Sequence, residues 1–212
     1  MKPLPAYRID KPLLNTSSIV RIGVVADTHI PDRMRALPPR LFDVLRGVDL
    51  ILHAGDISAP GVLKELERIA PVLAVLGNRD FLYRGNWSLP QDRIVEIGGA
   101  RIGLTHGHGG ARGYIKEKIL YYTTGYYLDR YDATVQARFS GVEAIVFGHS
   151  HHPVNQVREG VLLFNPGSVG PEYKLKSGGS AGVLTVCEGK VRGEIVDLTP
   201  QPPSLKGRGS VT

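Results

Sequence analysis

The chain has 212 residues, 42% of them hydrophobic and 22% charged, with a formal net charge of +6. That length allows one large domain or two small ones around a substantial core. No stretch reaches the roughly 20 apolar residues of a membrane span, which argues against a membrane partner. The single cysteine excludes an internal disulfide and fits a reducing cytoplasm. The positive charge sits at the ends: residues 1–18 and 199–212 each carry a net +2, which leaves +2 for the body. A long nucleic acid needs a sustained basic surface, so only a locally positive cleft remains compatible with this balance.

Residues 1–18 hold Pro3, Pro5, Pro12 and Asp10 where a secretory signal would need an apolar core. They read as an N-terminal arm with no signal peptide. Ile19 to Ala26 is an apolar run of the buried, parallel type, and it ends in Asp27-Thr28-His29. Pro38 and Pro39 start a helix with Leu41, Val44 and Leu45 on one face. Asp49 to Ala54 is a second strand, ending in Gly55-Asp56. Gly61 to Ala70 is a helix with Val62, Leu63, Leu66 and Ile69 as its apolar face. Pro71 to Leu76 is a third strand, ending in Gly77-Asn78-Arg79-Asp80. Strand, helix, strand, helix, strand implies a parallel sheet.

Beyond Trp87 the pattern changes. Arg93–Ile97 and Arg101–Thr105 form a hairpin around Gly98-Gly99-Ala100, and its second strand ends in His106-Gly107-His108. A glycine-rich turn leads into a tyrosine-rich helical region through Phe139. Ala144–Phe147 is a strand ending in Gly148-His149-Ser150-His151-His152. Val161–Phe164 is another, followed by Asn165-Pro166-Gly167-Ser168. Ala181–Val186 and Val191–Val196 close the domain as a hairpin around Glu188-Gly189. The domain therefore runs over residues 19–198, and the Pro/Gly/Ser-rich tail 199–212 is expected to be disordered.

Strands thus end repeatedly in Asp27 and His29, in Asp56, in Asn78, in His106, and in His149 and His151. Six of the 7 histidines, all but His53, fall in these loops. The carboxyl ends of strands are where open α/β sheets build their sites. Three oxygen donors and four imidazoles are too many for one four-coordinate zinc. They suit two divalent ions that share a carboxylate, which can clamp the attacking and leaving oxygens of a phosphoryl group. The mixed nitrogen and oxygen set favours manganese, iron, zinc, nickel or cobalt over magnesium.

In the order Asp-x-His, Gly-Asp, Gly-Asn-x-Asp, His, Gly-His-x-His, the chain resembles the calcineurin-like metallophosphoesterases. It is most similar to the small prokaryotic phosphodiesterase branch, which shares the Thr-His-Gly-His and Asn-Pro-Gly-Ser segments. The resemblance implies a four-layer α/β/β/α sandwich with two facing mixed sheets. It also implies a metal site at the C-terminal ends of the strands. Carried over by position, Asp27, His29, Asp56 and His151 would hold one ion. Asp56, Asn78, His106 and His149 would hold the other, with Asp56 bridging. Manganese is the first expectation for both. A hydroxide held between the ions would attack a phosphodiester, with Arg79 and Arg112 supporting the non-bridging oxygens. Many members of the family carry histidine where this chain has Arg79. Arginine offers a fixed positive fork but no transferable proton, so His108 becomes the candidate for protonating a leaving group. The implied alternatives are a nuclease on short nucleic acids and a non-catalytic protein-binding scaffold of the same fold.

Other residues carry plainer readings. Asp56 stands too early to cap the helix at Gly61. His53, inside a strand, reads as packing or support for a ligand. His108 and His152 are open between such support, substrate contact and simple exposure. Cys187 reads as a small buried apolar residue, and Asn165–Ser168 as a tight turn on the site floor. Tyr114, Tyr121, Tyr122, Tyr126, Tyr127 and Tyr131 suit a helix face, as core, as a cap over the cleft, or as a homo-oligomer interface across 114–131.

Overall fold

A computed structural model describes residues 6–8, 19–82, 88–108, 128–170 and 179–199. The first apolar segment forms strand β2 (Val20–Val25), and the expected crossovers follow: helix α1 (Pro39–Val44), β3 (Leu50–His53), helix α2 (Gly61–Leu66) and β4 (Val72–Ala74). β2, β3 and β4 run parallel, with Ile22 beside Leu50 and Ile51 beside Val72. The closing hairpin, β10 (Ser180–Cys187) and β11 (Lys190–Asp197), adds antiparallel to β2 and completes a sheet of order β11-β10-β2-β3-β4.

The second sheet has the order β1-β5-β6-β7-β9-β8. Its centre is the hairpin β5 (Asp92–Ile97) and β6 (Ala100–Thr105), followed by β7 (Ala144–Val146) and β9 (Val161–Asn165), which run parallel to β6. Both edges escape a reading for apolar pattern. β1 (Ala6–Arg8) lies in the N-terminal arm and pairs parallel with β5. β8 (Val154–Arg158) pairs antiparallel with β9. Its sequence, Val-Asn-Gln-Val-Arg, is polar because an edge strand with one neighbour has little surface to bury. The Tyr7 ring carries the Arg93 guanidinium at 5.6 Å, which fastens the arm to the sheet.

The sheets face each other. Val20, Ile22, Val24, Leu50 and Leu52 from one pack against Val95, Ile102, Leu104, Val146 and Phe164 from the other. The outer face of the first sheet, Val25 and Ile51, is covered by Leu41, Leu45, Val62 and Leu66 of the helical layer. The outer face of the second, Ile145 and Leu163, is covered by Val135 of helix α3 (Leu128–Gln136). Four layers result, as the resemblance implied. Gly23 shows how closely they pack: a Cβ there would lie 2.3 Å from the Leu45 side chain.

Cys187 is half-buried at the end of β10 rather than enclosed. Arg112 and the tyrosines from Tyr114 to Tyr127 lie outside the described residues, as does the Tyr131 side chain. The tail beyond Thr199 does too, so the readings placed on these segments remain expectations. No described helix is long and apolar enough to cross a membrane.

Candidate metal centre

Every strand that the sequence ends in a ligand-type residue delivers it to one place. Asp27 and His29 come from the loop after β2, Asp56 from the loop after β3, and Asn78 from the segment after β4. His106 and His108 follow β6, and His149 and His151 follow β7. The sharp loops need an unusual backbone. Asp27 (φ 55), His29 (φ 47), Asp56 (φ 54), His149 (φ 68) and His151 (φ 58) are all left-handed. Aspartate and histidine tolerate that region better than most residues, and such outliers gather at functional sites. Gly77 makes room for the result: a Cβ there would stand 2.1 Å from both the backbone nitrogen and Oδ1 of Asp56.

The donor atoms converge in two groups. Asp27, His29 and His151 form one, and Asp27, Asp56 and His106 the other. His151 Nε2 lies 3.2 Å from Asp27 Oδ1 and 3.3 Å from His29 Nε2. Asp56 faces both halves: its Oδ2 is 3.7 Å from His29 Nε2 and its Oδ1 3.5 Å from His106 Nε2. Asn78 Oδ1 stands 3.0 Å from His106 Nε2 and 2.8 Å from His149 Nδ1. Asp27, His29, Asp56 and His106 are buried.

Supporting bonds aim these groups. His106 Nδ1 donates to the Ala54 carbonyl at 2.7 Å. A carbonyl only accepts, so the proton of a neutral His106 is on Nδ1 and Nε2 points a lone pair at Asn78 Oδ1 and Asp56 Oδ1. Three acceptors then face one another, an arrangement that a cation satisfies. Asp27 Oδ1 is likewise buried without a well-formed hydrogen bond. The donor atoms of Asp27, His29 and His151, and those of Asp27, Asp56 and His106, are therefore of the kind that a divalent cation takes.

The electrostatics agree. Burial pushes the Asp27 carboxyl up, but His151, with His106 and His29, outweighs it and holds the group below the usual carboxylate range. Asp56 is raised well above that range, by burial first and then by the charge of Asp27. Two buried carboxylates cannot both ionise at low cost unless positive charge lies between them. Burial lowers His29 to about 4, with Asp27 opposing and Arg33 and Arg79 reinforcing. It lowers His106 strongly as well. Both imidazoles are thus neutral at physiological pH, as metal ligation requires.

The remaining predicted residues divide. His53 is a support: Gly55 N–H donates to its Nδ1 at 3.2 Å, and its Nε2 lies 3.2 Å from the Thr28 hydroxyl. Thr28 in turn donates to the Ile57 carbonyl at 3.1 Å, which ties two ligand loops together. His108 is buried, with its ring 5.3 Å from that of His106 and 6.3 Å from that of His149. Neither of its nitrogens has a hydrogen-bond partner among the described residues. Burial, reinforced by His149 and Arg138, lowers it to about 4. Arg79 donates its backbone N–H to Asp56 Oδ1 at 2.8 Å, while its guanidinium reaches Asp32 Oδ2 at 3.4 Å. The backbone of His152 returns to Ser150 Oγ at 3.3 Å. Asn165 fulfils the tight-turn reading: its amide donates to the Gly148 carbonyl at 2.9 Å and its Oδ1 accepts from Gly167 N–H at 2.9 Å. Ser168 Oγ donates to the Asp27 carbonyl at 3.0 Å.

The sequence reading gave no role to Asp80, although its Gly-Asn-x-Asp motif contains it, nor to Arg33. Asp80 is buried and accepts from Ser58 N–H at 2.8 Å and Gly77 N–H at 2.7 Å, clasping the Asp56 and Asn78 loops together. Its signal was its place two residues after Asn78, which repeats the i, i+2 spacing of Asp27 and His29. Arg33 Nη1 lies 3.1 Å from His151 Nδ1, and nothing in the local sequence marks it.

Known proteins resemble this chain in sequence and in fold. The chain is 38% identical over 179 residues to a probable metallophosphoesterase of Methanothermobacter thermautotrophicus, covering 82% of this chain and 91% of that protein. It is 26% identical over 162 residues to a phosphodiesterase of Methanocaldococcus jannaschii, covering 70% and 83% respectively. The fold matches vacuolar protein sorting 29 from Cryptosporidium parvum with a TM-score of 0.59 at 19% identity, over 84% of this chain and 97% of that one. The family model of the calcineurin-like phosphoesterase superfamily domain matches residues 20–189. With those motifs on the loops of a four-layer sandwich, the chain belongs to the calcineurin-like phosphoesterase superfamily.

Proposed function

We propose that this protein is a cytoplasmic phosphodiesterase that works with two divalent ions, manganese first among them. The observation that carries the reading is the acceptor cluster around His106 Nε2, whose lone pair the Ala54 carbonyl fixes toward Asn78 and Asp56. Asp27, His29, Asp56 and His151 are assigned to one ion, and Asp56, Asn78, His106 and His149 to the other. Asp56 is the shared carboxylate because its two oxygens face different halves. When bound, such a pair of ions supplies a nucleophile at neutral pH and takes up charge developing on phosphate oxygens.

The chain's own residues supply the rest. Arg79 presents a guanidinium to the non-bridging oxygens and has no proton to transfer. His108 is neutral near pH 7, so it can donate one hydrogen bond to a leaving oxygen but holds no acidic proton. Esters with good leaving groups are therefore the favoured substrates. The phosphodiesterase relative supports the diester class, and the half-buried single cysteine is compatible with the cytoplasm.

A protein-binding scaffold is the second reading, suggested by the fold likeness to vacuolar protein sorting 29. The complete ligand set favours the enzyme. The test is metal analysis under saturating manganese, together with turnover of aryl diesters, alkyl diesters, aryl monoesters and short oligonucleotides. Two ions per chain and a strong preference for aryl over alkyl diesters are expected. A plateau at one ion removes the shared carboxylate, preference for oligonucleotides makes the enzyme a nuclease, and no turnover leaves the scaffold.

A further inference from the structure

The loop after His29 places a second guanidinium at the centre. Arg33 N–H donates to the His29 carbonyl at 2.8 Å, so the main chain ties this residue to the ligand loop. Its side chain reaches over the Asp27, His29 and His151 half, with Nη1 3.1 Å from His151 Nδ1. Arg79 comes from the segment after β4, and its guanidinium meets Asp32 Oδ2 at 3.4 Å. Asp32, the residue before Arg33, also receives the Ser58 hydroxyl at 3.4 Å. Both arginines lie close enough to His29 for their charges to act on it. Two arginine charges thus act on one half of the centre, and Asp32 makes a long contact with the Arg79 guanidinium.

The Arg33 contact has a chemical condition. Arginine has donors and no acceptor. Its approach to His151 Nδ1 requires a lone pair there, which puts the His151 proton on Nε2, toward Asp27 Oδ1 at 3.2 Å. A cation held by Asp27, His29 and His151 needs the lone pair on Nε2 instead, and a neutral ring then carries its proton on Nδ1. Arg33 cannot hydrogen-bond to that nitrogen. Loading the centre therefore breaks this contact between the guanidinium and His151, and an anionic ligand offers the acceptor that His151 has withdrawn.

We propose that Arg33 is a substrate-positioning residue, which with Arg79 grips the non-bridging oxygens of the phosphoester once the centre is loaded. This rests on the phosphoesterase reading for the identity of the ligand. The planar fork suits two oxygens of one phosphate. Asp32 holds the Arg79 side of the pair until the phosphate replaces it.

The test uses the full chain loaded with manganese and orthophosphate as the probe. Calorimetry gives the affinity for orthophosphate, and a separate titration without phosphate gives the affinity for manganese. Arg33→Ala should weaken orthophosphate binding at least tenfold and leave manganese affinity equal or tighter, since a competitor for His151 is gone. KM for a diester should rise more than kcat falls, and Arg33→Lys should restore part of the loss. Unchanged orthophosphate affinity in Arg33→Ala overturns the proposal, as does its absence in the unmutated loaded protein. A parallel fall in manganese affinity overturns it too, because Arg33 would then be a prop for His151. If the unmutated protein binds orthophosphate through Arg33 but hydrolyses no ester, the phosphoesterase reading fails while the role of Arg33 stands.

Discussion

At the ends of β8 and β10, Glu159-Gly160 and Glu188-Gly189 turn the chain with positive φ at both residues of each pair. Asp27, His29, Asp56, His149 and His151, in the loops after β2, β3 and β7, adopt the same left-handed backbone. At the hairpins this conformation matches the twist of the paired strands, a glycine takes one position of each pair, and the glutamates are exposed. At the candidate metal centre, of the five only Asp56 adjoins a left-handed glycine, Gly55 (φ 89). Their side chains turn inward, and the buried ones add a desolvation cost to the backbone strain of order 1–3 kcal/mol per residue. One backbone geometry thus serves connection at one place and the convergence of donor groups at the other. The difference lies in what the side chain does once it has been turned.

Removing the carboxylate proposed to be shared tests this contrast most severely. Asp56→Asn keeps an acceptor for Arg79 N–H but loses the charge that reaches both halves. Activity should fall well beyond the 10–100-fold typical of a residue that only supports a ligand, and manganese content should fall with it. The metal-free protein should melt at an equal or higher temperature, because burial and Asp27 both oppose the Asp56 charge. Near-native turnover, or a melting temperature several degrees lower, would contradict the assigned role.

A smaller effect is expected from His53. Burial lowers it from 6.5 to about 3 in the folded chain. The unfolded chain therefore takes up the proton first as pH falls. Its contribution to stability is complete above about pH 6.5 and is lost as pH drops from there toward 3. Thermal melts of metal-free protein should decline across that window, and His53→Gln should flatten the decline while leaving the hairpin turns intact. Identical pH profiles for the two proteins would place the acid sensitivity elsewhere.

The smallest effect belongs to the hairpins. Glu188→Gly relieves a left-handed non-glycine residue but adds freedom to the unfolded chain, so stability should change by less than about 1 kcal/mol. Activity should be unchanged. The matching change in the other region, His151→Gly, should remove manganese from its half of the centre. If Glu188→Gly also lowers activity, the two regions are coupled and the contrast is too sharp.

Much of this was legible in the chain itself. An apolar, β-branched run buries a strand on both faces, and parallel strands carry their following loops to a common edge. Recognising β2, β3 and β4 therefore brings Asp27, Asp56 and Asn78 to one edge, and recognising β6 and β7 brings His106, His149 and His151 to another; that the two edges meet is decided by how the two sheets face each other. The edge strands β1 and β8 were not legible: unlike the edge strands β4 and β11, they carry too little apolar pattern and are held by backbone hydrogen bonds. The helices were foreseen in place, but their lengths were not, since capping and turn geometry set the ends.

Side-chain type announces a possible ligand, whereas its direction depends on partners far along the chain. The Ala54 carbonyl chooses which nitrogen of His106 faces the centre across 52 residues of sequence. Asp80 clasps two loops through backbone N–H groups, which carry no sequence signature. Arg33 looks like any surface arginine until the Gly148-His149-Ser150-His151 loop arrives beside it, 118 residues later. Residue chemistry and strand periodicity are local properties and point to the candidate ligands. Tautomer, the facing of each carboxylate oxygen and the convergence of two guanidinium groups are pairwise distances, and these exist only after the chain has folded.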